Sequence, residues 1–240
     1  MRFGIFGDVH GNLEALEAVL SAMKDLEVDE YLCLGDIVGY GANPEECVQR
    51  VRGLGALAIA GNHDHAAIGA QNLANFNRQA RDAMLWTRDH ISAGTRDWLR
   101  SLSLVECLDG FTIVHGSMHY PEAFNYVQTT RDAQHNFERM PQPLLFLGHS
   151  HFPFAFFNTD PMTYTLDEVV PVNPSLWTVV NVGSVGQPRD EDPRAGFTVY
   201  DNRTGEARLH RTSYPVDQTM EKIMKAGLPH ESALRLEKGR

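Results

Sequence analysis

Short apolar runs followed by glycine and polar residues recur along this chain, and each run has the length of a buried strand. The six runs lie at residues 2–7, 31–35, 56–60, 111–114, 144–147 and 177–180. Between the first three runs, apolar residues follow helical spacing. Asn12 is placed to cap one predicted helix, and Asn43-Pro44 to begin a second that ends near Gly53. Strands that alternate with helices predict an α/β layered fold.

The rest of the chain shows weaker periodicity. Residues 66–104 are predicted to be helical and to shield one edge of the strand ends, and residues 196–214 to form a closing hairpin. Residues 153–174 fit either a cover over the strand ends or an oligomer contact. We expect a single domain over residues 1–214. Residues 215–240 would add a short helix and a frayed tail, either within that domain or peripheral to it.

Potential metal ligands stand at the corners where the apolar runs end. They are Asp8, His10, Asp36, Asn62, His115, His149 and His151. Open α/β sheets bind small molecules and ions beyond the carboxyl ends of their strands, so we expect these corners to lie together at one site. Residues two apart in extended backbone point the same way, which would let Asp8 and His10 face one ion, and likewise the two histidines of 149–151. Nitrogen and oxygen ligands from five corners predict a two-metal hydrolytic centre.

Composition narrows the possible partners. Acidic residues outnumber basic ones 31 to 21, which gives a formal charge of −10, and two divalent cations would offset about four of these charges. Lysine and arginine are scattered, so duplex nucleic acid is not expected as a partner. A small phosphate ester is expected instead, and self-association is left open.

Cysteine usage and the amino-terminal sequence bear on location. Cys33, Cys47 and Cys107 are odd in number and far apart, which is typical of buried thiols in a reducing compartment. The chain opens with neither a secretory signal pattern nor any apolar run of about 18 residues. We therefore expect a cytoplasmic protein without membrane contact.

The residue types at these corners suggest roles in hydrolysis. A carboxylate such as that of Asp36 has two oxygens and can bridge two cations. Two cations about 3.5–4 Å apart can bind a bridging hydroxide and the phosphate oxygens for in-line attack. His63 adjoins a ligand, and we expect it either to protonate the leaving oxygen as a general acid or to bind the phosphate, with Asp64 orienting its ring. Asn12, His119 and Arg189 are candidate substrate-binding residues, Arg189 through a bidentate fork.

Five motifs together resemble those of the calcineurin-like metallophosphoesterases, in the same order. They are Gly7-Asp8-Val9-His10-Gly11, Gly35-Asp36, Gly61-Asn62-His63-Asp64, Val114-His115-Gly116 and Gly148-His149-Ser150-His151. The resemblance implies an αββα sandwich, in which two mixed β-sheets lie between helices, and a dinuclear metal centre. It also implies a first metal bound by Asp8, His10, Asp36 and His151, and a second bound by Asp36, Asn62, His115 and His149.

Departures from the family pattern bear on the substrate. Many phosphoprotein phosphatases of this superfamily carry an acidic-basic pair after the second motif, where this chain continues Ile37-Val38-Gly39. Residues 181–189 instead resemble the closing loop of the compact bacterial phosphodiesterase-like branch. We expect a metal-dependent phosphodiesterase. A phosphoprotein phosphatase, a nucleotide-polyphosphate hydrolase and a non-catalytic metal-binding scaffold are the alternatives. Manganese is the favoured metal, and iron, zinc or nickel would suit the same ligands.

Overall fold

The computed structural model describes residues 1–240, apart from the side chain of Asn75. The strands are β1 (Arg2–Phe6), β2 (Glu30–Cys33), β3 (Leu57–Ala58), β4 (Val105–Cys107), β5 (Thr112–Val114), β6 (Leu144–Leu147), β7 (Phe154–Phe157), β8 (Thr163–Thr165), β9 (Val169–Pro171), β10 (Thr178–Asn181), β11 (Ala195–Asp201) and β12 (Glu206–Thr212). The helices are α1 (Leu13–Asp25), α2 (Pro44–Leu54), α3 (Asn62–Ala67), α4 (Arg78–His90), α5 (Ala93–Arg100), α6 (Thr130–Phe137), α7 (Val216–Lys225) and α8 (His230–Lys238).

The strands form two mixed sheets that pack face to face. The first has the order β3-β2-β1-β11-β12-β9 and the second the order β4-β5-β6-β10-β7-β8. Strands β1 to β3 run parallel, as do β5, β6 and β10, so their carboxyl ends lie at one edge of each sheet. Between the sheets, Phe3 and Ile5 of β1 share a core with Phe146 of β6 and Val180 of β10. The predicted αββα sandwich is confirmed.

Helices cover the outer faces of the two sheets. Leu16 and Val19 of α1 and Val48 of α2 pack against the first sheet, because their spacing places one apolar stripe on it. Ala133 and Phe137 of α6 pack against the second sheet. Asn12 caps α1 as predicted, and its side chain accepts a hydrogen bond from the backbone N–H of Ala15.

Residues 215–240 form ordered helices, so the expectation of a frayed tail is wrong. In α7, Thr219 donates a hydrogen bond to Glu14 of α1 at 3.0 Å. In α8, Ala233 and Leu236 are buried in one cluster with Tyr40 and with Ala83 of α4. The polar composition of this segment hid the apolar positions that fasten α8 to the rest of the molecule.

Two further features differ from the sequence predictions. Cys107 is exposed, because it ends the edge strand β4, so only Cys33 and Cys47 are buried thiols. Residues 153–174 contain three strands: β7 and β8 end the second sheet, whereas β9 crosses to the far edge of the first. Their short polar and aromatic stretches gave no clear strand period. Within the described residues, every helix is too short or too polar to cross a membrane.

Candidate metal centre

The ligand-bearing loops are held in left-handed backbone conformations. Asp8, His10, Asp36, His149 and His151 all have φ between 50° and 66°. Non-glycine residues seldom adopt this region, which costs of order 1–3 kcal/mol each and is concentrated at functional sites. The expectation that Asp8 and His10, and His149 and His151, project from extended backbone is therefore wrong. Their side chains converge because the chain turns sharply at each ligand.

Hydrogen bonds and glycines join these loops closely. The backbone N–H of Asp8 donates to Gly35 O at 3.0 Å, and that of His10 donates to Asp36 O at 2.9 Å. A Cβ atom at Gly61 would overlap the Asp36 carboxylate, although Gly61 itself has an ordinary φ of −98°. The glycine of the third motif thus leaves the room that the Asp36 side chain occupies.

One group of ligand atoms joins the first and last motifs. The Nε2 atoms of His10 and His151 lie 3.1 Å apart, and Asp8 Oδ1 is 3.3 Å from His151 Nε2. All three ligand atoms of this group lie within 4.8 Å of one another, and all three side chains are buried. This spacing suits convergence on a single cation.

A second group joins Asp36 to two histidines of the other sheet. Asp36 Oδ2 is 3.5 Å from His115 Nε2, and His115 Nε2 is 3.1 Å from His149 Nδ1. The same Asp36 oxygen is 3.7 Å from His10 Nε2 of the first group. Asp36 therefore lies between the two groups, at the position that a bridging ligand requires.

Two buried acceptor atoms in this region lack a hydrogen-bond partner among the described residues: Asp8 Oδ1 and Asn62 Oδ1. Leaving such atoms unsatisfied costs about 1–3 kcal/mol each. Bound cations would satisfy them, and carboxylate, amide and imidazole ligands suit manganese, iron, zinc and nickel. The residues present therefore fit the two divalent metals that the sequence predicts.

Backbone carbonyls orient the histidine rings. The Nδ1 atoms of His10, His115 and His151 lie 3.3, 2.7 and 2.6 Å from carbonyl oxygens of Val38, Leu34 and Gln187, respectively. A proton on each Nδ1 would make these contacts hydrogen bonds and leave Nε2 free as a ligand. Such outer contacts fix the tautomer of metal-binding histidines.

Burial and mutual charge set the protonation of the ligands. Burial lowers the pKa of His10 and His151, and it lowers the pKa of His149 to about 3, so these rings are neutral near pH 7. Burial would also lower the pKa of His115, but the Asp36 carboxylate offsets this and raises it to about 9. Burial conversely opposes ionisation of Asp36, and the attraction of His115 outweighs it and holds the Asp36 pKa well below its usual range.

His63 is not one of the predicted metal ligands, but it lies next to them. A ring nitrogen lies within 4.8 Å of the ligand atoms of His10 and Asp36, and its backbone N–H donates to Asp36 Oδ1 at 2.8 Å. The ring packs on Tyr40 with centroids 4.7 Å apart, and its Nδ1 is 3.2 Å from Met84 Sδ. Burial lowers the His63 pKa to about 4, which leaves the imidazole neutral near pH 7 in the metal-free protein.

The contacts of Asp64 differ from the expectation that it orients the His63 ring. Its Oδ1 accepts hydrogen bonds from the backbone of Ile37 at 2.9 Å and of Val38 at 3.3 Å, and its Oδ2 accepts one from Gly61 at 2.9 Å. Burial and, after it, the nearby Asp36 charge raise the pKa of Asp64 to about 7. Asp64 therefore links the second and third motif loops through their backbones.

Two cavities flank the ligand groups, and Tyr126 lines both of them. One cavity, of about 260 Å³, is lined by Asn62, His63 and His149 among others. The other, of about 770 Å³, is lined by Ser150, Arg189 and several aromatic residues. The Tyr126 ring stacks on His149 with centroids 4.0 Å apart. Sequence reasoning missed Tyr126, because a lone tyrosine in a polar loop belongs to no motif.

The three candidate substrate contacts have different surroundings. Asn12 is buried, and its side chain bonds Ala15 N, Gly186 O and the Thr219 hydroxyl, so these contacts give it a structural role and its substrate contact stays a prediction. His119 stacks on His135 and is absent from the described walls of both cavities, which argues against substrate contact. Of the three, only Arg189 lines one of the two cavities described above.

Comparison with known proteins bears on this arrangement. Residues 1–205 match the family profile described as the calcineurin-like phosphoesterase superfamily domain. The chain belongs to the calcineurin-like phosphoesterase superfamily. The loops that carry the predicted ligands are therefore those of a metallophosphoesterase fold. Membership of this superfamily implies that the protein hydrolyses phosphate esters.

Similar proteins cover the full length of this phosphoesterase. A metallophosphoesterase from Sphaerobacter thermophilus is 39% identical, with a TM-score of 0.90 and coverage of 100% of this chain and 99% of its own. An uncharacterized protein of Methanocaldococcus jannaschii is 36% identical over 98% of this chain and 97% of its own length. A hypothetical protein of Pyrococcus horikoshii, 20% identical, shares the fold, with a TM-score of 0.81 and coverage of 100% and 98%.

Proposed function

We propose that this protein is a phosphodiesterase with a dinuclear metal centre. The observation that carries the proposal is the position of Asp36, whose Oδ2 atom lies 3.5 Å from His115 Nε2 in one ligand group and 3.7 Å from His10 Nε2 in the other. A shared carboxylate between two such groups is the arrangement of two-metal hydrolases. Manganese is the metal that we propose for it.

The ligand residues would divide as their spacing suggests. Asp8, His10 and His151 would hold one cation, and His115, His149 and Asn62 the other, with Asp36 shared. Two cations held there would supply Lewis acidity and activate a shared water for in-line attack on phosphorus.

His63 and Arg189 would act on the substrate directly. His63 lines the smaller cavity beside Asn62, where it could donate a ring N–H to the leaving oxygen. Because its pKa is low in the free protein, proton transfer would require a bound phosphate whose negative charge raises that pKa. Arg189 would hold a non-leaving phosphate oxygen from the side of the larger cavity.

The two cavities favour a diester over a monoester. A diester carries two substituents on its phosphate, and two cavities, of about 260 Å³ and about 770 Å³, lie beside the ligand groups with Tyr126 in the wall of both. A monoester would fill only one of them. In addition, the chain lacks the acidic-basic pair after the second motif, which counts against a phosphoprotein phosphatase.

Hydrolysis of two chromogenic esters tests the proposal. We expect metal-stripped protein to be inactive, and added manganese to give faster hydrolysis of bis(p-nitrophenyl) phosphate than of p-nitrophenyl phosphate. Faster hydrolysis of the monoester would favour a phosphomonoesterase. Metal binding without turnover of either ester, with manganese, iron, zinc or nickel, would favour a non-catalytic scaffold and overturn the proposal.

A further inference from the structure

The larger cavity has the size and the walls of a small-molecule site. Its volume of about 770 Å³ falls within the range of about 300–1,000 Å³ that is typical of such sites. Aromatic side chains form much of its wall, and they are Tyr126, Phe152, Phe154, Phe156 and Tyr164. A wall of this composition suits stacking against a flat aromatic group.

The cavity lies next to the metal centre. Ser150, which lines it, stands between the ligands His149 and His151 in sequence, and Tyr126 stacks on the His149 ring at an interplanar angle of 19°. The backbone N–H of Arg189 donates to His151 O at 3.2 Å. The Arg189 Nε atom is buried without a hydrogen-bond partner among the described residues. An anionic phosphate at the centre could use that donor while its substituent enters the cavity.

One wall of the cavity is an aromatic face that is exposed among the described residues. Phe156 of β7 pairs in register with Tyr164 of the edge strand β8, and their ring centroids lie 6.0 Å apart. Tyr164 is 64% exposed and Leu166 is 58% exposed. An exposed apolar patch beside a catalytic centre is typical of a binding surface.

We propose that this cavity binds a planar aromatic ring on the non-leaving side of the diester, either an aryl group or a nucleobase. The inference rests on the proposed phosphodiesterase function and adds the substrate class. Tyr126 and Tyr164 would stack on the ring, while Arg189 holds the adjoining phosphate. Base–aromatic stacking is sequence-tolerant, since every base has a π-face, and loss of one stacking partner lowers affinity about 5- to 150-fold.

A series of diesters with one leaving group tests this assignment. The esters share p-nitrophenolate as the leaving group and carry methyl, cyclohexyl, phenyl or 5′-thymidyl as the second substituent. We expect kcat/KM of the phenyl and thymidyl esters to exceed that of the methyl ester at least about tenfold, mostly through KM, and that of the cyclohexyl ester by less. The phenyl and thymidyl arms distinguish an aryl from a nucleoside ligand.

Two matched variants locate the effect. Leu166→Ala and Tyr164→Ala should reduce the phenyl-to-methyl ratio of kcat/KM several-fold, whereas Leu85→Ala, at a leucine of similar exposure on α4, should leave the ratio unchanged. Both cavity residues are exposed, so folding is not at risk.

Several outcomes would overturn the inference. They are equal kcat/KM for methyl and phenyl esters, a cyclohexyl ester as good as the phenyl ester, and variants that leave the ratio unchanged. If Tyr164→Ala instead converted a dimer to a monomer in sedimentation without changing the ratio, the face would be a contact between two copies. Turnover of the methyl ester without ring preference would leave the proposed phosphodiesterase function intact, whereas no turnover of any ester would contradict that function itself.

Discussion

At the residue scale, hydrogen bonds within the protein occupy one polar atom of several ligand side chains and leave the other atom free to bind a cation. The Asp8 carboxylate accepts a hydrogen bond from His149 N through Oδ2 at 2.9 Å, while its Oδ1 has no described partner and is left for a cation. In the same way, backbone carbonyls engage Nδ1 of three histidines and free their Nε2 atoms. The outer contacts thus decide which atom of each residue faces the centre.

The role of His63 can be tested by substitution. We expect His63→Ala to retain both metals and to lose about 10²–10⁴-fold in kcat, because a group that assists the leaving oxygen contributes that much. The loss should be larger for poor leaving groups, as measured with a series of substituted aryl diesters. His65→Ala is the matched control, since His65 packs against Phe124, 5.3 Å between centroids, and belongs to none of the ligand groups found among the described residues. An equal loss on good and poor leaving groups would make His63 a phosphate-binding residue.

The pairing of His115 with Asp36 predicts proton release on metal binding. In the metal-free protein the His115 pKa is raised to about 9, so the ring carries a proton at pH 7 that a metal ligand must lose. As the pH rises toward 9, deprotonation of His115 should therefore increase manganese affinity by about tenfold per pH unit. Calorimetry at pH 7 in buffers of different ionisation enthalpy should show about one proton released. Binding heats that are independent of the buffer would contradict the assignment.

At the element scale, the sequence allowed more of the strands and helices to be predicted than of the loop geometry. The six apolar runs, the α1 cap and the hairpin of β11 and β12 follow from local patterns, and the ligand corners follow from where strands end. The left-handed backbone of Asp8 and His149 does not, because long-range hydrogen bonds and the neighbouring loops impose it. Strands β7 and β8 do not follow from the sequence, since β7 takes its register from pairing with β10 and β8 from pairing with β7, rather than from a period of their own.

Two glycine substitutions test the packing of the ligand loops. Gly61→Ala should weaken manganese binding at least about tenfold, because the added Cβ displaces the Asp36 carboxylate. Gly53→Ala in α2 is the matched control, since a Cβ there meets nothing within 4 Å and should stabilise the helix by about 0.5–1 kcal/mol. Manganese dissociation constants and thermal unfolding of both variants distinguish the two effects. Unchanged binding in Gly61→Ala would show that the loop relaxes freely.

At the scale of the whole molecule, the carboxyl-terminal helices pack against a residue that contacts the metal loops. Tyr40, which packs on the His10 ring with centroids 4.9 Å apart, also lies in the cluster that buries Leu236. The sequence left residues 215–240 either within the domain or peripheral to it, because this polar segment shows little periodicity. Helix α8 therefore contacts the metal loops through Tyr40.

A leucine pair tests this coupling. Leu236→Ala should lower the free energy of unfolding by about 2–5 kcal/mol, since Leu236 is buried, in a single transition monitored by denaturant titration. Leu234 of the same helix is 43% exposed, so Leu234→Ala should change the free energy of unfolding by less than about 1 kcal/mol. A separate early transition in Leu236→Ala would show instead that α7 and α8 are peripheral.

Manganese titration of the metal-stripped protein, with turnover of bis(p-nitrophenyl) phosphate followed at each step, tests the dinuclear assignment most directly. We expect two equivalents of manganese per chain at saturation and turnover that follows the second equivalent. Asp36→Asn should bind less than two equivalents and lose turnover, because the shared charge is removed. Saturation of turnover at one equivalent, or two-metal binding retained by Asp36→Asn at wild-type affinity, would contradict a centre bridged by Asp36.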